Sequence, residues 1–363
     1  MTAKYSVAII GTGRMGGLID DEMPAPSFSK PYGHYSAYAA IPETEVVAVA
    51  NRGEERLKRF SERFGIDNTY LDYREMILTE QPDIVSITTP SLQRAEPIIF
   101  AAENGVKGIY AEKGLSASLE EADRIAEAVR RNNVAFNWGA LRRHNDGFIK
   151  LRDQIMDGAI GEPRAAVMSF ATDLIKHHPH TIDLVSMLLG DPDPEWVEGN
   201  LIDPGDQFAP NRPLPTYDPV GHRYVAPEGR EIGDPWVGTY RVHFKGGTEG
   251  VFLPVPGAFE IDVYGTGGRA FAWENGGVFG IRTFDGKSGQ TKVTTFHAQG
   301  ESPTICTIRD LIRELETGER TKGNIDRTMQ TVETQFALAH SHLQGGARVM
   351  IPVEDRSLYI PGG

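Results

Sequence analysis

The stretch IKHHPHTID, residues 175–183, places His177, His178 and His180 within four positions, with Asp183 three residues beyond the last of them. Imidazoles so spaced can chelate a metal ion, and a single one, titrating near ~6.5, can move a proton in either direction. A third reading is a histidine cluster at a helix start with no chemistry. Proline is at home in a first helical turn, so Pro179 marks the start of a helix and puts His180 and Asp183 on one face of it. The chain has one cysteine and no H-E-x-x-H, and no metal is expected.

A second stretch with chemical potential is Gly11-Thr12-Gly13-Arg14-Met15-Gly16, which follows the apolar run YSVAII at 5–10. In a chain with 40 glycines a G-x-G-x-x-G alone is weak. Its place between a strand and a helix strengthens it: Gly11 permits the tight turn, Gly13 lets the backbone approach a pyrophosphate, and Gly16 lets the helix pack close. A dinucleotide is the expected cofactor. The second strand of such a unit ordinarily ends in Asp or Glu about 20 residues after the loop. Here VVAVANR offers Asn51 and Arg52, and the extra length is an insertion at 18–31. With no carboxylate for a ribose 2′-hydroxyl and a guanidinium able to pair with a 2′-phosphate, the cofactor is NAD(P), leaning to NADP.

The elements that must position these residues alternate. Strand-like runs at 5–10, 44–50, 83–90 and 106–113 are separated by helical spacing at 52–65, 95–105 and 118–133, with the short apolar VAFNWGAL after it. That alternation predicts a doubly wound, mostly parallel sheet. Beyond residue 150, runs at 161–172, 236–255 and 258–284 resemble antiparallel strands joined by glycine turns. The fold class is therefore α/β, with an N-terminal Rossmann dinucleotide-binding domain over 1–140 and a C-terminal α+β domain over 141–363. The second carries an open, mainly antiparallel sheet. The insertions at 18–31 and 203–235 are rich in Pro, Asp and Gly and too long for plain connections, so they are candidate lids or subunit contacts.

Composition narrows the partners. A formal net charge of −13 without a basic run argues against nucleic acid. No stretch approaches the ~20 apolar residues of a membrane span, and MTAKYSVAIIGTG has no signal-peptide pattern. Cys306, in TICTIRDLIREL, reads as the buried side of an amphipathic helix. A cytoplasmic, soluble protein is the expectation.

Taken together in order, GTGRMG, the TTP at 88–90, Glu112-Lys113, DGAIGEP at 157–163 and HTIDLVSMLLG at 180–190 resemble the glucose-fructose oxidoreductase / inositol dehydrogenase (Gfo/Idh/MocA) family. The resemblance implies hydride exchange between NAD(P) and a hydroxyl or carbonyl carbon of a sugar, sugar derivative or cyclitol, and a homodimer or homotetramer built through the open sheet. It matches Lys113 to the lysine of the family's Glu-Lys-Pro motif, and His180 and Asp183 to its His-x-x-Asp. Lys113 would then polarise the reacting oxygen, His180 act as acid/base, and Asp183 orient the imidazole or a neighbouring hydroxyl. Thr89, Pro90, Glu112 and Lys113 join the glycine loop, Asn51 and Arg52 as cofactor contacts. Arg142, Lys176 and His177 are candidate substrate contacts; Arg143 and His144 share the ALRRHND segment, and His178 neighbours the proposed base.

The chain departs from the family pattern. Gly114 stands where proline is usual, Arg94 where histidine is usual after Thr-Pro, and Lys176 where many members carry aspartate. An Asp-x-x-x-His spacing occurs one turn earlier, Asp173 to His177, which keeps His177 open as the base. Two other functional classes remain: redox-assisted elimination or hydrolysis of a glycoside with catalytic NAD, and a dinucleotide-binding regulator without turnover.

Overall fold

The computed structural model describes residues 5–22, 30–202, 216–218, 223–225, 231–232, 234–284, 287–360 and 362. Its early elements are β1 (Tyr5–Ile10), α1 (Ile19–Glu22), α2 (His34–Ala39), β2 (Thr44–Ala50), α3 (Glu54–Phe64), β3 (Asn68–Tyr70), α4 (Tyr73–Glu80), β4 (Ile84–Ile87), α5 (Ala95–Glu103), β5 (Gly108–Ala111), α6 (Leu119–Arg131) and β6 (Ala135–Trp138). Next come α7 (Asp146–Met156), β7 (Pro163–Ser169), α8 (Pro179–Leu188), β8 (Pro194–Ile202), β9 (Thr216–Asp218), β10 (Arg223–Val225), β11 (Glu231–Ile232), β12 (Trp236–Phe244) and β13 (Glu249–Leu253). The last are β14 (Glu260–Gly265), β15 (Gly268–Trp273), β16 (Val278–Phe284), β17 (Thr291–Phe296), α9 (Pro303–Thr317), α10 (Ile325–Leu343) and β18 (Val349–Met350).

These divide into two compact units. The first comprises residues up to Ser116, Glu120–His144 and Glu301–Met329; the second comprises Ala117–Leu119, Asn145–Gly300 and Gln330–Gly363.

In the first unit six strands run parallel in the order β3-β2-β1-β4-β5-β6. Every residue of β4, β5 and β6 is buried, as strands covered by helices on both faces require, and this is why they read as mainly apolar runs. On one side α2 and α9 pack Ala37, Tyr38, Ile305, Ile308 and Leu311 against Val7, Ile84 and Tyr110. Elsewhere α3 packs Leu57 and Phe60 against Ile9 and Val49.

The second unit holds a nine-stranded sheet, β17-β16-β15-β14-β7-β13-β12-β8-β18. Only the β7–β13 pair is parallel; the other pairs are antiparallel. Against it α7 packs on β15 and β16, and α8 on β7. Thus an α/β unit with a parallel sheet is joined to a mainly antiparallel one.

The division differs from a single cut at 140/141: residues 301–329 rejoin the first unit, because the apolar face of α9 fits the sheet face beside α2. Cys306 is half-buried rather than buried, since Ile305, Ile308, Leu311 and Ile312 take the inner face of that helix. Of the insertion at 18–31, residues 23–29 lie outside the described residues. Most of 203–235 does too, although β9, β10 and β11 form a small antiparallel sheet within it. Among the described residues no helix is long and apolar enough to cross a membrane.

If α9 completes the first core, Leu311→Ala, at a fully buried position, should behave as a core truncation. Urea unfolding should show a loss of about 2–5 kcal/mol; a loss below about 0.5 kcal/mol would mean that α9 is a surface attachment.

Candidate active site

The run of β1 ends at Ile10 and the chain turns at Gly11 with φ +102°, a conformation L side chains rarely adopt. A Cβ at Gly11 would lie 2.6 Å from the Oγ1 of Thr88, just past β4. Thr88 in turn donates its N–H to the Ile10 carbonyl at 2.9 Å and its hydroxyl to the Gly11 carbonyl at 2.7 Å, so the two strand ends are tied together. Gly16 lies in the helical turn Arg14–Leu18, and a Cβ there would be 2.4 Å from the Gly11 carbonyl oxygen.

Gly13 is different: a Cβ would meet nothing within 4 Å. Beside it Thr12 is fully buried, and its hydroxyl has no hydrogen-bond partner among the described residues. Buried polar atoms rarely go unpaired. An orphaned hydroxyl, an open glycine and a helix entry in one turn fit a dinucleotide pyrophosphate.

Of the remaining loop residues, Met15 is half-buried, and Arg14 is exposed with its Nε 2.5 Å from Glu22. At the end of β2 the Asn51 amide donates to the Gly53 carbonyl at 3.0 Å, and Arg52 is exposed.

At the carboxyl end of β5, Glu112 is 2% exposed and Lys113 Nζ lies 4.0 Å from its carboxylate. Burial raises the Glu112 pKa. The hydrogen bond from His34 and the charges of Lys113, His34 and Arg94 outweigh that and hold it below the ordinary value. Arg94, itself buried, donates from its guanidinium to the carbonyls of Gly114 and Thr89. One planar cation therefore fixes the turn after Lys113 to the Thr89-Pro90 turn. Thr89 and Pro90 are half-buried.

In the second unit α8 starts at Pro179, as proposed from the sequence, with His178 as its cap residue. Asp183 is buried and His180 half-buried on this helix. His177 is exposed, and its Nδ1 lies 3.0 Å from both carboxylate oxygens of Asp173. The Asp173 backbone carbonyl also accepts the His178 N–H at 3.1 Å.

Asp234 accepts the N–H groups of Ile175 and Lys176 at 2.9 and 2.7 Å. Burial and the neighbouring charge of Asp173 push its carboxyl up to about 7. Lys176 is exposed.

His178 is not a pocket residue. It is 2% exposed, its Nε2 lies 2.5 Å from the Tyr240 hydroxyl and its Nδ1 2.8 Å from the Thr181 hydroxyl, so both ring nitrogens are spent inside the unit. Nor do Arg143 and His144 offer themselves to a ligand: both are buried, with His144 Nε2 4.0 Å from Asp310 within the first unit. Arg142 is half-buried; burial works against its charge, with Tyr32 opposing. Among the described residues no group of three or more His, Cys, Asp or Glu gathers as metal ligands.

Residues 5–139 match the sequence profile of an oxidoreductase family with an NAD-binding Rossmann fold, Gfo/Idh/MocA. Over this stretch, a little over a third of the chain, the protein is similar to that family. Over 163 residues it is 30% identical to scyllo-inositol 2-dehydrogenase (NAD(+)) of Bacillus subtilis, covering 45% of this chain and 43% of that protein. Over 157 residues it is 26% identical to myo-inositol 2-dehydrogenase of Thermotoga maritima, covering 43% and 42%. The matched stretches thus span less than half of these relatives. A levoglucosan dehydrogenase structure, in complex with NADH and levoglucosan, superposes with a TM-score of 0.76 over 96% of this chain and 99% of that one at 18% identity, a likeness of fold.

His34, Ser86 and Asp234 were not singled out from the sequence. The 18–31 insertion separates His34 from the glycine loop, and Asp234 lies at the end of a long loop with no local pattern.

Two outcomes test this geometry. Gly13→Ala should fold with an unchanged Tm, while the stabilisation by dinucleotide, about 2.7 kcal/mol at a hundredfold excess over Kd, disappears. A normal ligand-induced shift would remove the loop from the site. The second outcome concerns pH. Burial pushes His144 and His178 down to about 3, so between pH 6.5 and 4.5 the unfolded chain binds two protons that these folded sites refuse. Asp234, raised to about 7, binds one more when folded. The net single proton should lower stability by about 1.4 kcal/mol per pH unit on acidification, and Asp234→Asn should steepen that slope in urea titrations.

Proposed function

We propose that the chain is an NAD(P)-dependent oxidoreductase that exchanges hydride with a hydroxyl or carbonyl carbon of a sugar, sugar derivative or cyclitol. The observation that carries this reading is the shared sheet edge in the first unit. The glycine loop follows β1, Thr89-Pro90 follows β4, and Glu112-Lys113 follows β5, all at carboxyl ends of parallel strands, where such sheets take ligands. The inositol dehydrogenases matched over the first part of the chain support the polyol class.

Gly11 to Gly16, Asn51, Arg52, Thr89, Pro90 and Glu112 hold the dinucleotide, which supplies the hydride acceptor or donor. Arg52, exposed at the end of β2, selects a 2′-phosphate and hence NADP. Lys113 polarises the reacting oxygen and stabilises its alkoxide character, a contribution of about 2–4 kcal/mol. His180 takes the hydroxyl proton in oxidation and returns it in reduction, and Asp183 orients its ring or a neighbouring hydroxyl. Arg142, Lys176 and His177 contact the substrate.

The test is nicotinamide absorbance over a panel of sugars and cyclitols. Lys113→Ala and His180→Ala should each lower kcat by about 10²–10⁴, and Arg52→Ala should raise the ratio of NAD to NADP use. Near-normal turnover in both alanine variants would end this assignment.

A further inference from the structure

Behind Lys113 lies a buried polar chain that the cofactor loop does not use. His34 opens α2 and is completely buried. Its Nε2 lies 3.2 Å from Glu112 Oε1 and its Nδ1 2.5 Å from the Ser86 hydroxyl on β4. The ring stacks on Tyr110 of β5 at a centroid distance of 4.1 Å and an interplanar angle of 4°. The other carboxylate oxygen of Glu112 faces Lys113 Nζ at 4.0 Å.

Beyond β6, the Gly139 backbone closes the remaining side, since a Cβ there would stand 3.0 Å from Glu112 Oε1. The loop leading into α2 is itself pinned, the N–H groups of Tyr32 and Gly33 donating to the Asp20 carboxylate at 2.7 and 3.1 Å. Every neighbour of the Glu112 side chain thus limits its movement.

We propose that His34 is a positioning residue: by holding the Glu112 carboxylate it fixes the Lys113 ammonium at the carboxyl end of β5. The inference rests on the role given above to Lys113. With its proton on Nε2 the ring donates to Glu112 and accepts from Ser86, which leaves both nitrogens satisfied in the core. A buried carboxylate keeps its charge only when it is paired and hydrogen-bonded. The groups that face Glu112 are His34 from α2, Lys113 from its own strand end, Arg94 from the start of α5 and Tyr110 from β5. His34 lies within hydrogen-bond distance of the carboxylate, and its bond is the largest influence that keeps Glu112 charged against burial. Without it the balance turns towards burial, Glu112 takes up a proton at higher pH, and Lys113 loses its counter-charge.

The Glu112 carboxyl can be followed directly by carbon NMR of glutamate-labelled protein, assigned with Glu112→Gln. In the wild type it should stay ionised from pH 8 to 5. In His34→Leu it should take up a proton in the neutral range, and in His34→Gln, whose amide can donate in place of the ring, it should stay ionised.

Turnover should follow. In His34→Leu, kcat at saturating dinucleotide should fall about tenfold for each pH unit below the new Glu112 titration, and His34→Gln should restore the wild-type profile. A Glu112 that remains charged in His34→Leu, or one that is protonated while kcat keeps its wild-type pH profile, would overturn the proposal. If His34→Leu does not fold, Glu112→Gln decides: it keeps an acceptor for His34 and removes only the charge, so wild-type kcat in that variant is equally fatal. Absence of turnover in the wild type over the whole panel would instead defeat the oxidoreductase reading, while the Glu112 titration would still report whether His34 holds that carboxylate.

Discussion

The constraint on which the candidate site depends is the backbone approach where β1 and β4 end. The Gly11 carbonyl is approached from one side by the helical turn at Gly16 and bonded from the other by the Thr88 hydroxyl, so side chains are excluded from both glycines. This crowding sets the exit direction of both strands at the centre of the sheet, where the strand order reverses. The open space before Gly13, the buried Thr12 hydroxyl and the Thr89-Pro90 turn all take their places from it. Lys113 is one strand further along the same edge, and Arg94 carries the constraint across to it through the carbonyls of Thr89 and Gly114.

The histidine-rich segment shows how environment separates identical side chains. His177 stays exposed against Asp173, whereas His178 is turned inwards to Tyr240 and Thr181 and is kept neutral by burial. His180, two positions further, is half-buried on a helix that is otherwise almost wholly buried. Three imidazoles within four positions therefore have three different degrees of burial. A spacing argument alone could not apportion them, since Tyr240, the partner of His178, comes from a distant part of the sequence.

What was legible in the sequence follows the range of the interaction. The inner parallel strands were readable because burial on both faces writes runs rich in Val, Ile and Ala, whereas the exposed edge strand β3 was not, and the glycine loop was readable because its sterics act over six residues. The start of α8 was readable from a single proline. Less legible were β8 and β17, whose half-exposed strands lack a continuous apolar run. The surroundings of Glu112 were hidden as well: His34 reaches it from an element far away in the chain and is held from behind by Ser86, and the insertion before α2 removes any fixed spacing from the loop. The return of α9 to the first sheet was invisible for a related reason, since its apolar spacing states that a face is buried and not what buries it.

That return has a consequence for synthesis on the ribosome. A nascent chain that has released β6 already contains all six parallel strands and the glycine loop, yet the face formed by Val7, Ile84 and Tyr110 still lacks α9. The missing helix starts at Pro303, and at ordinary rates of translation it emerges on the order of ten seconds later. During that interval the growing polypeptide displays an unfinished apolar surface while eight of the nine strands of the second unit's large sheet are being made. The first two-fifths of the sequence thus waits for a helix in the last sixth before its sheet is covered, which ties its folding to the elongation rate.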